Sequence, residues 1–162
     1  MAETTSRRER ILEAVRCRLR AITRNDGYRT DLGLTELVGE LPRFGPDDPK
    51  QVIAMMPQED RIEGEFQEGK IPILWPIDIA VLVSPEIDEP WAIVEAGLFD
   101  VKKAIETDDR TLGGLLKGGK NNPGGLLRGS TETFKRTAGS EAVGALITYA
   151  CPYWESWGLP EA

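Results

Sequence analysis

The sequence predicts a single α+β domain, and three observations carry that reading. Two segments repeat apolar residues at helical spacing, several others alternate apolar and polar residues at strand spacing, and a length of 162 residues suits one core. Hydrophobic residues make up 40% of the chain and charged residues 29%, and no apolar run approaches the ~18–20 residues needed to cross a bilayer. A folded domain with no membrane segment is expected. The polar start Met1-Ala2-Glu3-Thr4-Thr5 lacks the apolar stretch of a secretory signal, and there are two cysteines, Cys17 and Cys151, so a reducing, cytoplasmic setting is expected.

The first helix has a readable start. Ser6-Arg7-Arg8-Glu9 is a capping box, in which Ser6 and Glu9 satisfy each other's backbone N–H groups. Ile11, Leu12, Val15, Leu19 and Ile22 then form one stripe, with arginines on the other face. Asn25-Asp26-Gly27 stops the helix, because Gly27 can take the left-handed conformation that closes it. A short strand is expected within 34–40, and the proline- and acid-rich segment 41–49 reads as a loop.

Residues 51–56 read as a strand and 59–69 as an exposed acidic hairpin tip or mobile loop. The strongest strand is 71–83, with Ile77, Ile79, Val81 and Val83 on one face and Asp78, Ala80 and Leu82 on the other. Pro72 and Pro76 lie four apart, so both missing N–H groups point to one side, which must be a sheet edge or a bulge. We expect a loop or an adjacent subunit, rather than a strand of the same chain, to close that side.

A second helix is expected to start at 84–85 or 88–90, where proline suits the first turn, and to run to about Thr107. Val94, Gly97, Leu98, Val101 and Ile105 form its stripe, and Asp100, Lys102, Lys103 and Glu106 are expected to face water. Asp109-Arg110-Thr111-Leu112-Gly113-Gly114-Leu115 reads as a short capped turn. The glycine-rich segment 113–125 that follows is expected to be mobile, since it offers little apolar surface to offset the entropy of ordering. Strands over 129–136 and 143–153, joined through Thr137-Ala138-Gly139-Ser140, and an aromatic tail complete the chain.

Charge and composition exclude much chemistry. There is no histidine, so a Ser-His-Asp triad, a Cys-His pair and a His-ligated zinc site are all ruled out. The net charge of −7 disfavours sequence-specific DNA binding. That charge is banded: residues 1–24 carry seven arginines against three glutamates, 31–68 carry ten acids against three bases, and 110–136 carry six bases against Glu132.

Residues 114–121 nearly match a phosphate-binding loop, but Asn121 replaces the Ser or Thr and the segment follows a helix rather than a buried strand. The pairs Asp47-Asp48, Glu59-Asp60 and Asp108-Asp109 read as solvated loop acids, Asp78 as a residue on the outer side of a half-buried sheet, and both cysteines as packing residues. No catalytic, cofactor or metal-binding residue is expected.

The order of elements then becomes the main clue. The first helix leads into Asn25-Asp26-Gly27-Tyr28-Arg29-Thr30-Asp31-Leu32-Gly33, followed by the Leu41-Pro42 loop and a long central strand. The second helix ends in Lys102-Lys103-Ala104-Ile105-Glu106-Thr107 and runs into the 109–115 turn, and the last strand ends Ile147-Thr148-Tyr149-Ala150-Cys151-Pro152-Tyr153. Over nearly its whole length this pattern resembles the tail terminator, or tail completion, proteins of long-tailed bacteriophages. The resemblance implies a mixed or antiparallel sheet with two main helices on one face. It also implies a virion protein of the tail or neck, assembled in the host cytoplasm, that forms a ring of six. Such a ring caps the tail tube protein, offers a surface to a head–tail connector, catalyses nothing and lets DNA pass through its hole.

Within that picture Glu59, Asp60, Glu63, Glu65 and Glu68 are the candidates for the channel lining or for tube docking, because an acidic lining would not grip DNA. Ile71, Leu74, Trp75, Arg16 and Arg20 are the subunit-interface candidates, with the arginine face of the first helix outside or against a partner ring. A neck protein of the adaptor or stopper type is the runner-up, and a histidine-free metal-dependent hydrolase is the alternative from a different class.

Overall fold

The computed structural model describes residues 5–117, 124–134 and 142–159. The chain is an α+β domain: helix α1 (Arg7–Arg20), strands β1 (Glu36–Val38), β2 (Gln51–Pro57), β3 (Arg61–Ile62) and β4 (Lys70–Val83), helix α2 (Pro90–Glu106), and strands β5 (Leu127–Phe134) and β6 (Val143–Ser156). The sheet runs β1-β2-β4-β6-β5, with β3 pairing β4 beyond the end of β2. Only β1 and β2 are parallel, so the sheet is mixed.

Its spine is the β4–β6 pair, matched without interruption from Lys70↔Ser156 to Val83↔Val143 over about 45 Å. Side chains alternate across a strand, so the odd-numbered residues of both strands fall on one face. Ile77, Ile79, Val81 and Val83 meet Val143, Ala145, Ile147 and Tyr149 there, under α1 and α2. The even face carries a smaller cluster of Val52, Ala54, Ala80 and Leu82.

The capping box of α1 forms as the sequence requires, with Glu9 N–H donating to Ser6 Oγ (3.1 Å) and Ser6 N–H to Glu9 Oε2 (2.6 Å). Ile11, Val15 and Leu19 bury the helix's inner stripe, at roughly 1.5–3 kcal/mol each. Gly27 takes φ 86° and turns the chain back toward α2. Pro90 occupies the first turn of α2, and Gly97 lets that helix close onto the sheet: a Cβ there would meet Leu32 Cδ1 and Val81 Cγ1 at 2.7 Å.

Two expectations are corrected. The proline side of β4 is not left for a loop or another subunit, because β2 and β3 of the same chain cover it. It is a bulge: the register shifts by one residue between Pro57↔Ile77 and Arg61↔Leu74. The carbonyls of Pro76 and Pro72 accept from Gln58 N–H (2.9 Å) and Glu63 N–H (3.0 Å). Pro76 has no N–H to give back to Gln58 O, and the Trp75 indole Nε1–H donates to that oxygen instead at 2.9 Å.

Asp100 does not face water; it is fully buried. Of the glycine-rich segment, Leu116 enters the core and Lys117 N–H donates to Pro152 O (2.8 Å), with Leu112 and Leu126 buried on either side of the segment. Residues 118–123 of that segment, and with them much of the 114–121 match, lie outside the described residues, as does the 137–140 connection.

Candidate interaction surfaces

The acidic hairpin projects past the end of β2. Every residue from 61 to 70 is exposed, and the turn closes through the Gln67↔Lys70 bridge with Glu68 and Gly69 at positive φ. The five acids are not equivalent. Asp60 turns inward, its Oδ2 accepting from Arg8 Nη1 at 2.6 Å, while Arg8 lies 4.2 Å from the centre of the Trp75 ring. Glu63 pairs with Arg61 at 3.5 Å. Glu59, Glu65 and Glu68 form no ion pair among the described residues, so the hairpin's free negative charge sits on these three. Beside its turn Phe66 and Trp157 pack with ring centroids 6.1 Å apart, and Trp157 and Leu159 remain 71% and 54% exposed.

Among the described residues, no helix covers the even face of the sheet. At the β2 side it holds an apolar groove of about 330 Å³ lined by Leu41, Pro42, Met56, Leu82, Phe134 and Ala142. Further along the same face Leu74, Pro152 and Leu127 line a smaller hollow of about 190 Å³. Lys117 lines that hollow too, and its ammonium lies 3.8 Å from the Trp154 ring centre, where burial pulls its pKa below the usual lysine value. The polar break in this face is Asp78, whose Oδ1 accepts from Thr148 Oγ1 at 2.6 Å. Its outward, half-buried placement matches the sequence reading.

Of the interface candidates, only Leu74 stands on this face, half-buried. Trp75 is a core residue at 2% exposure, on the helix side and under Arg8, and Ile71 packs against the same core. Strand alternation puts Leu74 on the opposite face from both. Arg16 and Arg20 are spent within the chain. Their Nε atoms donate to Glu36 Oε1 (2.6 Å) and Oε2 (2.9 Å), a carboxylate only 6% exposed, and Arg20 also reaches Glu13. The hydrogen bond to Glu36 raises the Arg16 pKa further. Arg18 Nη1 donates to Ile105 O at 2.9 Å, and its second terminal nitrogen binds Asp109 O, so it closes the end of α2. The arginine face of α1 is thus an internal clamp on β1, α2 and the hairpin.

Both turns that carry the family resemblance fold around α2. Asp100 accepts from Arg29 N–H (3.0 Å), Thr30 N–H (2.8 Å) and Thr30 Oγ1 (2.7 Å), which fastens the 27–33 turn to the helix. In the 109–115 turn Asp109 accepts from Thr111 N–H, Thr111 Oγ1 and Gly113 N–H; the Thr111 hydroxyl contributes most to holding this carboxyl below the usual aspartate pKa. Asp100 escaped the sequence reading because a charged residue beside an apolar stripe normally points outward. Its signal was the Arg-Thr pair in the turn, whose donors needed an acceptor.

The paired acids do local work. Asp48 accepts from Gly45 N–H (2.9 Å), and Asp109 holds its turn. Among the described residues no group of three or more Cys, Asp or Glu is placed to hold a metal ion. Cys151 packs in the core, where burial pushes its thiol up to about 12. Cys17, expected to pack, is exposed instead and lies 3.7 Å from a Glu13 oxygen.

No model of a known protein family matches the chain, and no curated protein matches its sequence.

Proposed function

We propose that this chain is a structural subunit that assembles into a ring, six-membered by the family resemblance, and caps a phage tail tube. The observation that carries the reading is the helix-free sheet face, an apolar surface with a groove of about 330 Å³ at one end and Leu74 beside a second hollow at the other. Apolar concave surfaces of this kind are where soluble proteins receive partners. The projecting hairpin supplies a different surface. Its free acids run from Glu59 at the base of the hairpin to Glu65 and Glu68 beside its turn, where they line the channel or its rim and leave a passing duplex unbound. Asp60 and Glu63, paired within the chain, are not part of that lining.

The test is native mass spectrometry of the purified protein alone and with tail tube protein. A mass that is a multiple of six subunits, and that caps tube rings, supports the proposal. A chain that binds connector protein but not tube protein fits the adaptor or stopper role instead. Thermal stabilisation by Mg²⁺ or Mn²⁺ with no assembly contradicts both readings and favours the hydrolase.

A further inference from the structure

We propose that the outward ridge of α2 is a two-fold docking surface for a second copy of this chain. Trp91, Glu95, Phe99 and Lys103 recur every four residues, so they stand in one ridge of the helix about 18 Å long. All four are exposed, the two aromatics by 39% and 45%. The ridge is polarised. Toward its start lie Asp88, Glu89 and Glu95, all exposed; toward its end lie Lys102, Lys103 and the guanidinium of Arg29, which stacks 3.8 Å from the centre of the Phe99 ring. Neither Glu95 nor Arg29 has an ion-pair partner among the described residues. Lys103 gives one hydrogen bond to Gly27 O (2.9 Å) and has two further N–H groups to offer.

A dyad through the middle of the ridge, level with Gly97, lays it antiparallel on itself. Glu95 then faces the stacked Phe99 and Arg29 of the other copy, and Trp91 faces the other copy's Lys103. Both contacts occur twice. A parallel contact would set Glu95 against Glu95 and Lys103 against Lys103, so the charges select the antiparallel arrangement. Ridges of this four-residue type interdigitate at about −50°, the commonest helix crossing. A two-fold contact cannot close a six-fold ring, so this inference stands apart from the proposed function: it joins two subunits, or two rings, across a dyad.

The experiment is sedimentation equilibrium of the full chain carrying Glu95→Arg, Arg29→Glu, or both, with circular dichroism confirming an unchanged fold. Each single substitution is expected to halve the mass or to weaken the association at least about tenfold, since a like-charge pair replaces an attraction twice over. The double substitution is expected to restore it, because the exchanged charges meet again. Glu65→Arg, on the hairpin, is expected to leave the mass unchanged. A monomeric unsubstituted chain, single variants with full mass, or a double variant as weak as the singles would each overturn the proposal.

Discussion

The two faces of one sheet are built to different standards. The helix face is closed: β4 and β6 alternate large apolar residues into it, α1 and α2 cover it, and its fully buried carboxylate, Asp100, is saturated by backbone and hydroxyl donors. The opposite face buries Val52, Ala54, Ala80 and Leu82 but leaves a groove beside them. The difference separates what specifies the fold from what is available to a partner. Changes on the first face, and at the buried residues of the second, should act on stability, and changes at the open groove and hollow of the second on association.

The largest effect is expected at the helix face. Asp100→Ala removes the acceptor for two backbone N–H groups and a hydroxyl in a dry site, and should cost about 3 kcal/mol or more in chemical denaturation. Gly97→Leu should be comparably damaging, since even its Cβ would lie 2.7 Å from Val81 Cγ1 and Leu32 Cδ1. If either variant unfolded like the unsubstituted protein, the closed face would not be what holds the domain together.

An intermediate effect is expected on the other face. Leu82→Ala should cost about 2 kcal/mol, because Leu82 is 5% exposed. Leu74→Lys, at a half-buried site, should change the denaturation midpoint little and lower the assembled mass. Equal losses of stability and assembly would erase the distinction between the faces.

On the hairpin, Glu59→Lys, Glu65→Lys and Glu68→Lys together should leave stability within about 0.5 kcal/mol, these acids being exposed and unpaired. Assembly should persist while DNA passage fails if they line the channel; loss of tail joining would place them at the tube.

The smallest effect is a dependence on pH. The Ser6 N–H and hydroxyl hold Glu9 below the usual glutamate pKa, and the Thr111 hydroxyl does most of the same for Asp109. A carboxyl depressed by folding stabilises the fold above its unfolded pKa and loses that contribution as pH falls through its folded value. Far-UV circular dichroism should therefore show α1 fraying as pH drops below about 4, and Ser6→Ala should shrink that step without abolishing it, because the backbone N–H of residue 6 remains to bind Glu9.

Much of this contrast was legible in the sequence, for local reasons. The capping box, the 3.6-residue stripes and the strand alternation each depend on residues near one another in the chain, and each formed. The proline spacing in β4 correctly announced a bulge or an edge, but nothing local distinguished the two. That choice depended on Gln58 and Glu63 meeting Pro76 and Pro72 across a hairpin. Long-range pairing also hid the fate of the arginines. A basic helix face reads as a surface for partners until Glu36, Asp60 and the end of α2 arrive to occupy it.

The central claim is that the helix-free face mediates assembly, and its most direct test is native mass spectrometry of the unsubstituted chain beside Leu74→Lys, alone and with tail tube protein. The account predicts a mass that is a multiple of six subunits for the unsubstituted chain, and smaller species with an unchanged circular dichroism spectrum for the variant. A monomer in both cases, or an assembly indifferent to Leu74, would contradict it.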